Sequence, residues 1–171
     1  METELFDFVF LAGGQANISN EIGVEVDIEA QKKALEDHDQ TIEKLAQLLS
    51  TDNSLSKVIF VPGGTDARSL YADTGANKDK AFNLHKEIYE LADGLIVAGL
   101  GGSTPAYFSG YNLFEDEEGN EVEEEFTDEL SSYPYASEDD FKVDLDSLWF
   151  DKVKVSLDKQ RQVLLLTHEG P

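Results

Sequence analysis

Three short segments of the sequence combine glycine with residues that can bind metals or anions. Gly13-Gly14, Gly63-Gly64-Thr65-Asp66 and Thr167-His168 each close a short, strongly apolar run. Runs of that kind are typical of buried strands. In α/β sheets, ligands bind at the carboxyl ends of the strands, where glycine lets the backbone approach closely. The three segments therefore predict a single binding edge, provided that their strands share one sheet.

Two more groups of residues are candidates for a site. Gly101, Gly102 and Ser103 could cradle a phosphate with backbone N–H groups. The alternative is a tight structural turn, which the missing third glycine of a dinucleotide-binding fingerprint favours. His168 and His85 also have two interpretations. Each histidine either contacts a metal or phosphate near the strand ends, or holds a neighbouring loop in place.

The elements that must position these residues begin with a strand–helix–strand unit. The sequence predicts a buried central strand over Leu5–Ala12, a helix over Ile28–Leu49 and a second strand over Lys57–Val61. The apolar stripe of the helix is expected to follow Ile28, Leu35, Ile42, Leu45 and Leu49, with His38 partly exposed. A connection of this length implies that the two strands are parallel.

The second half of the chain predicts a mixture of elements. An Asp-Gly pair indicates a hairpin formed by His85–Leu91 and Leu95–Leu100. Residues 101–140 are expected to be irregular, with a small hairpin tip at Glu118–Glu121. A partly helical segment over Val143–Lys159 then leads to a third buried strand, Val163–Leu166. The order of elements predicts an α/β fold, with a mixed β-sheet and flanking helices.

Composition and charge limit the classes of partner. The 171 residues include 13 Lys and Arg against 36 Asp and Glu, a formal charge of −23. That charge argues against nucleic acid as a partner. No apolar run reaches the ~18 residues that a membrane helix needs, so no membrane insertion is expected. The absence of cysteine excludes disulfides and thiol nucleophiles. The sequence favours one domain over residues 1–171, in the cytoplasm because no basic signal region precedes it.

An acidic insertion at about residues 109–132 has several interpretations. Residues 115–129 contain ten Asp and Glu and no basic residue. A charge run is usually a solvated loop, but it could also dock a basic surface on another protein chain. A low-affinity calcium site using Asp116, Glu118 and Asn120 is the remote alternative, because the glycine falls at the wrong position for a standard loop.

The order and spacing of these segments resemble the calcineurin-like metallophosphoesterases. In that family, successive strands end in Gly-Asp, in Gly-Asn-His-Asp, and in a His followed by small residues and Pro. The segment from Asn83 to Pro105 is similar to the family's middle hairpin and following loop, and Tyr133-Pro134-Tyr135 resembles a eukaryotic branch. The resemblance covers about residues 7–171. It implies a metallophosphoesterase-like αββα sandwich, or the central part of one.

The departures from the family pattern fall on its metal ligands. Gly14 stands where the family has its bridging Asp, and Gly64 and Thr65 stand where it has Asn and His. Asp66 is retained, but in the family that position supports the loop. His168 is the one residue that matches a metal ligand. Glycine has no side chain that could coordinate, and one histidine cannot hold two divalent ions.

The resemblance therefore implies the fold and argues against the family's chemistry. The expected function is a catalytically inactive, metallophosphoesterase-like structural or protein-interaction subunit of a larger assembly, with no cofactor. The alternative is a metal-dependent phosphoesterase using Mn, Mg or Fe/Zn, with His168, Asp66 and His85 as its residual site. A third possibility is a module that binds phosphate or nucleotide through the glycine loops without hydrolysis.

Overall fold

The chain folds into two small sheets flanked by helices, with a third, two-stranded sheet. The computed structural model describes residues 5–14, 18, 25–51, 55–72, 77–104, 106–115, 121–130 and 133–168. The strands are β1 (Phe8–Ala12), β2 (Lys57–Val61), β3 (Asn77–Lys78), β4 (Ala81–Asn83), β5 (Glu87–Ala92), β6 (Leu95–Leu100), β7 (Ala106–Glu115), β8 (Glu121–Leu130) and β9 (Gln162–Thr167). The helices are α1 (Ile28–Ala46), α2 (Ser69–Ala72), α3 (Glu138–Leu148) and α4 (Lys154–Leu157), with a π-helical turn over Trp149–Val153.

The strands that carry the candidate residues lie in two sheets. The first sheet has the order β1-β2-β4-β3, with β1, β2 and β4 parallel. The second has the order β5-β6-β9, in which β5 and β6 form an antiparallel hairpin and β9 runs parallel to β6. The condition that the three strands share one sheet is therefore not met. β9 pairs with β6 of the central hairpin, from Leu95↔Gln162 to Leu100↔Thr167, and not with β1 or β2.

Three apolar clusters give the order of the layers. Ala34 of α1 packs on Phe60 at the outer face of the first sheet. Ile59 and Val97 lie in the cluster between the two sheets. Leu148 packs with Leu100 on the outer face of the second sheet. The order helix, sheet, sheet, helix confirms the predicted α/β class.

Helix α1 begins at the predicted residue and packs on the sheet with most of its predicted apolar face. The Asp27 side chain caps it by accepting N–H bonds from Glu29 and Ala30 at 3.0 Å. Ile28 is exposed, whereas His38 is buried and contacts the ring of Phe60 edge-on, with ring centroids 4.7 Å apart. Leu35 and Ile42 of the predicted stripe pack against the cluster that contains Ala34 and Phe60, and Leu49 is buried, so the stripe is confirmed apart from Ile28. The predicted partial exposure of His38 is wrong, because its ring packs on the sheet beside them.

Strands β1 and β9 have sequences typical of central strands, but both lie at sheet edges. β1 is the first strand of its sheet, and Phe10 on it is exposed. β9 is the last strand of the second sheet, and Leu164 and Leu165 on it are exposed. The prediction that both strands are buried is wrong, because within the described residues each has a neighbouring strand on one side alone.

The segment expected to be irregular contains a long hairpin. β7 and β8 pair antiparallel over ten residues each, from Ala106↔Leu130 to Glu115↔Glu121, and form a sheet of their own. The aromatic residues of β7 have high strand propensity, and the dense acidic pattern of β8 conceals the strand in the sequence. The hairpin tip at residues 116–120 lies outside the described residues, and so does the calcium site considered for Asp116, Glu118 and Asn120.

Ion pairs hold the helical layer against the second sheet. Lys86 Nζ lies 2.5 Å from an Asp144 carboxylate oxygen, and Lys152 Nζ lies 2.6 Å from Glu87. Both pairs join the start of β5 to the segment from α3 to α4. That helical segment begins at Glu138, five residues earlier than the predicted Val143. Among the helices described, none is both long enough and apolar enough to cross a bilayer.

Candidate functional site

Residues at the ends of β1, β2 and β9 come together although β9 belongs to the other sheet. We call Gly13, Gly14, Gly63, Asp66 and His168 the strand-end cluster. The contact that joins the two sheets here is between His168 Nδ1 and the carbonyl oxygen of Ala12, at 2.7 Å. The proximity that the sequence predicts for these residues is thus present, but it comes from the packing of two sheets.

Asp66 is buried and holds the two glycine loops together. One of its carboxylate oxygens, Oδ2, accepts the backbone N–H of Gly14 at 3.0 Å and that of Gly63 at 2.8 Å. A buried carboxylate needs such donors, because burying it without them costs about 5 kcal/mol of desolvation free energy. The oxygen is directed at protein backbone. Asp66 therefore holds together, by hydrogen bonds, the loops that follow β1 and β2.

The imidazole of His168 lies against glycine backbone. Because a carbonyl oxygen can only accept, its contact with Ala12 makes Nδ1 the donor; in the neutral tautomer with this contact, Nε2 is the acceptor nitrogen. A Cβ at Gly13 would lie 2.6 Å from Nδ1, and a Cβ at Gly63 would lie 2.6 Å from Cε1. Glycine at positions 13 and 63 is thus what makes room for the ring. The two Gly-Gly pairs in the sequence indicate a close approach at these positions. They do not reveal that the group packed there is a histidine ring.

His85 occupies a different set of contacts, around the end of β6. Its Nδ1 accepts the N–H of Gly101 at 3.1 Å, and its ring packs edge-on against Tyr71 with centroids 5.1 Å apart. Burial, and then the charge of Lys86, lower the pKa of His85 to about 4, while Asp144 partly opposes the shift. The ring is therefore neutral near pH 7, as an acceptor at Nδ1 requires.

Asn83, for which the family resemblance was the one signal, positions this histidine. Its Oδ1 accepts the backbone N–H of His85 at 3.1 Å, and its Nδ2 donates to the carbonyl oxygen of Leu70 at 2.5 Å. A buried amide with a donor and an acceptor contact is typical of a structural role. Asn83 and His85 together join the end of β4 to the end of β6.

The predicted phosphate loop donates its N–H groups to the protein. Gly101 donates to His85, Gly102 donates to the carbonyl oxygen of Pro62 at 2.8 Å, and Ser103 donates to that of Tyr133 at 3.0 Å. A Cβ at Gly101 would lie 2.3 Å from the Pro62 oxygen, and Gly102 has a φ of +104°. An anion at this loop would have to replace three existing hydrogen bonds. These contacts favour the tight-turn interpretation.

The donor groups at the strand ends do not fit a two-metal centre. Gly14 and Gly64 offer no side chain, and Thr65 offers a hydroxyl in the turn after β2. Across the part of the chain that the structure describes, no three His, Asp or Glu side chains come close enough together to hold a metal ion. What the cluster does chemically is to satisfy buried polar groups and fix loop geometry.

A second candidate surface, which sequence reasoning missed, lies between the helical layer and β9. Apolar side chains line a groove with a volume of about 260 Å³: Leu145, Leu148, Trp149, Val153, Leu157, Val163 and Leu165. Trp149, Leu157 and Leu165 are exposed along it. Exposed apolar groups in one groove indicate a surface for another apolar group.

The chain matches no protein-family model, no curated protein and no solved structure.

Proposed function

We propose that the chain is a catalytically inactive protein of metallophosphoesterase-like fold that serves as a structural or protein-interaction subunit. The layer order of helix, sheet, sheet and helix is compatible with that fold. The positions of Gly14, Gly64 and Thr65 at the strand ends support the loss of chemistry, because none supplies the carboxylate or imidazole that a two-metal site needs.

One observation carries the proposal: the buried carboxylate of Asp66 binds backbone. Its Oδ2 accepts N–H bonds from both glycine loops. This is the loop-supporting role that the resemblance implies for the position, so Asp66 does not replace the carboxylate ligand that Gly14 cannot supply. The polar side chains at the strand ends thus serve the fold.

The partner in this proposal is another protein chain, reached through a basic surface that meets the acidic insertion. The chain carries a formal charge of −23, and β8 alone has six Asp and Glu among its ten residues. Such a charge attracts basic surfaces over about one Debye length, roughly 8 Å at physiological salt. Binding to that partner should therefore weaken as salt rises. A cytoplasmic location belongs to the same proposal.

The alternative, a metal-dependent phosphoesterase, is favoured by one feature. Nδ1 of His168 faces the Ala12 carbonyl oxygen, so in the neutral tautomer with this contact Nε2 offers the lone pair that a metal needs. If the alternative holds, His168, Asp66 and His85 are its residual site, with Mn, Mg or Fe/Zn bound through ligands outside the described residues.

Metal content and turnover, measured on one sample, separate the two functions. We would equilibrate the purified chain with Mn²⁺, remove the free ion, and read bound metal by plasma mass spectrometry beside hydrolysis of a generic phosphate monoester. We expect no stoichiometric metal and no turnover. Two metals per chain with turnover, both lost in His168→Ala and kept in an exposed-site control such as Val143→Ala, would establish the phosphoesterase instead.

A further inference from the structure

The β7–β8 hairpin has two faces of different composition. β7 and β8 pair antiparallel over ten residues each, so residues two apart on either strand share a face with the residues paired opposite them. Of the seven acidic residues in the two strands, five fall on one face, which we call the acidic face. These five are Glu115, Glu121, Glu123, Glu125 and Glu129. The other face carries the remaining two and is mainly apolar in composition.

The charges of the acidic face are not balanced within the hairpin. Neither strand contains Lys, Arg or His. Glu115 pairs directly opposite Glu121, and like charges at such a position destabilise a strand pair. Because a hairpin of two strands is at best marginally stable by itself, a cation bound along the acidic face would stabilise it.

The outer edge of β8 has a backbone suited to a further strand. β7 and β8 form a sheet of two strands, and among the described residues β8 has a neighbouring strand on one side alone. Its ten residues include neither Pro nor Gly, so an unbroken ladder of backbone hydrogen bonds can form along this edge. A strand added there would bring every second residue to about 5 Å from a residue of the acidic face.

The charge pattern of β8 determines which strand fits this edge. A second copy of β8 would bring glutamates beside glutamates, and that repulsion opposes self-pairing. A strand with Lys or Arg at every second position instead brings one cation beside each glutamate of Glu121, Glu123 and Glu125. The two sets of charges match because both repeat every two residues.

We propose that the outer edge of β8 is the docking site for a basic, extended segment of another protein, which joins the hairpin as a third strand with Lys or Arg at alternate positions along the acidic face. The inference rests on the proposed function, because it names the surface through which the interaction subunit meets its basic partner. It also makes a demand that general attraction between opposite charges does not make: binding depends on which face of β8 carries the charges.

The probe for this edge is a synthetic peptide as long as β8, capped at both ends, in which Lys and Thr alternate. The control peptide has the same composition, but its lysines stand in adjacent pairs and so divide between the two faces of a strand. Titration calorimetry on the full chain, at low and at physiological salt, measures the affinity of both peptides. We expect the alternating peptide to bind about fivefold more tightly, and its affinity to fall as salt rises.

Hydrogen exchange on the same complex tests whether the peptide pairs as a strand. Backbone pairing at the outer edge should slow the exchange of β8 amides when the alternating peptide is bound. Equal affinities for the two peptides, or binding that leaves the exchange of β8 unchanged, would overturn the proposal.

Two double variants with the same change in charge test the role of the acidic face. Glu123→Gln with Glu125→Gln removes two charges from that face and should weaken binding of the alternating peptide by about fivefold. Glu124→Gln with Asp128→Asn removes two charges from the other face and is the matched control, for which we expect a change within about twofold. Equal weakening by both variants would mean that total charge alone attracts the peptide, and the proposal would be wrong.

These outcomes are distinct from a failure of the proposed function. Bound metal with turnover would overturn the inactive-subunit function whatever the peptide does. A chain without turnover that binds both peptides equally would keep that function and lose the β8 edge as its docking site.

Discussion

His168 Nδ1 lies 2.7 Å from the carbonyl oxygen of Ala12, so the end of β9 is bonded to the end of β1 although the two strands belong to different sheets. This bond crosses the interface between the sheets at the open side of the sandwich, where both strands are edges. Together with the two N–H bonds to Asp66, it fixes the relative position of three loops. The following predictions concern these contacts and the buried histidine next to them.

Removing the imidazole of His168 should destabilise the fold modestly. His168→Ala loses the hydrogen bond to Ala12 and the packing of the ring on Gly63, with an expected cost of about 1–2 kcal/mol in the free energy of unfolding. His168→Gln keeps an N–H donor and should recover part of that loss. Urea unfolding of the three proteins measures the difference. An alanine variant as stable as the native chain would show that the bond contributes nothing.

Substitutions of Asp66 should separate its hydrogen-bonding role from its charge. Asp66→Ala leaves the N–H groups of Gly14 and Gly63 without their acceptor, which should cost about 3 kcal/mol. Asp66→Asn retains an acceptor oxygen and should cost about 1 kcal/mol. Thermal and chemical unfolding of both variants provides the check. Equal losses for Asn and Ala would mean that the negative charge, and not the acceptor, holds the loops.

The glycines should differ according to what surrounds them. Gly13 and Gly94 have nearly the same positive φ, +71° and +76°. A Cβ at Gly94 meets nothing within 4 Å, whereas one at Gly13 would lie 2.5 Å from the backbone nitrogen of Gly63. Gly94→Ala should therefore cost only the left-handed strain of about 1 kcal/mol, and Gly13→Ala should cost about 3 kcal/mol or more. Similar unfolding free energies for the two variants would exclude the steric explanation.

Stability should depend on pH through His85. Its pKa falls from 6.5 in the unfolded chain to about 4 in the fold, so the unfolded chain binds more protons between these values. The contribution is complete above pH 6.5 and is lost as the pH falls toward 4. It amounts to roughly 3 kcal/mol, since one pKa unit corresponds to about 1.4 kcal/mol.

Comparison with a variant isolates this contribution from that of the many carboxylates. His85→Asn keeps an oxygen that can accept the Gly101 N–H but does not titrate. The unfolding free energy of the native chain should fall more steeply than that of the variant as pH decreases from about 7 to about 4. Parallel pH profiles would mean that His85 is not the group responsible.

The local sequence pattern correctly predicts the strands that are both apolar in sequence and buried in the fold. β2 and β6 have the predicted bounds, because each is a buried apolar run closed by Pro-Gly or preceded by Asp-Gly. The same apolar runs in β1 and β9 predicted central strands, yet both are edges. Strand order depends on pairing between distant segments, and no residue within β9 specifies whether it joins β2 or β6.

The sequence predicts which residues form the candidate site, but it does not predict the hydrogen bonds between them. The glycine loops, Asp66 and His168 stand at strand ends, as the sequence indicated. The bonds from Gly14 and Gly63 to Asp66, however, depend on backbone directions that the fold sets between residues 52 positions apart. Likewise, only the packing around Gly101 shows that its N–H already has an acceptor in His85.

The parallel pairing of β6 with β9 also constrains the order in which the chain can fold. β6 ends at Leu100 and β9 begins at Gln162, with the β7–β8 hairpin and the helical layer between them. During synthesis, β5 and β6 can form their hairpin early, but the other edge of β6 must wait until residues 162–167 have emerged. Closing so long a loop is slow, because its entropy is lost before the strand contacts form. We therefore expect the completion of the second sheet to limit the folding rate, with the backbone edge of β6 unpaired until β9 is in place.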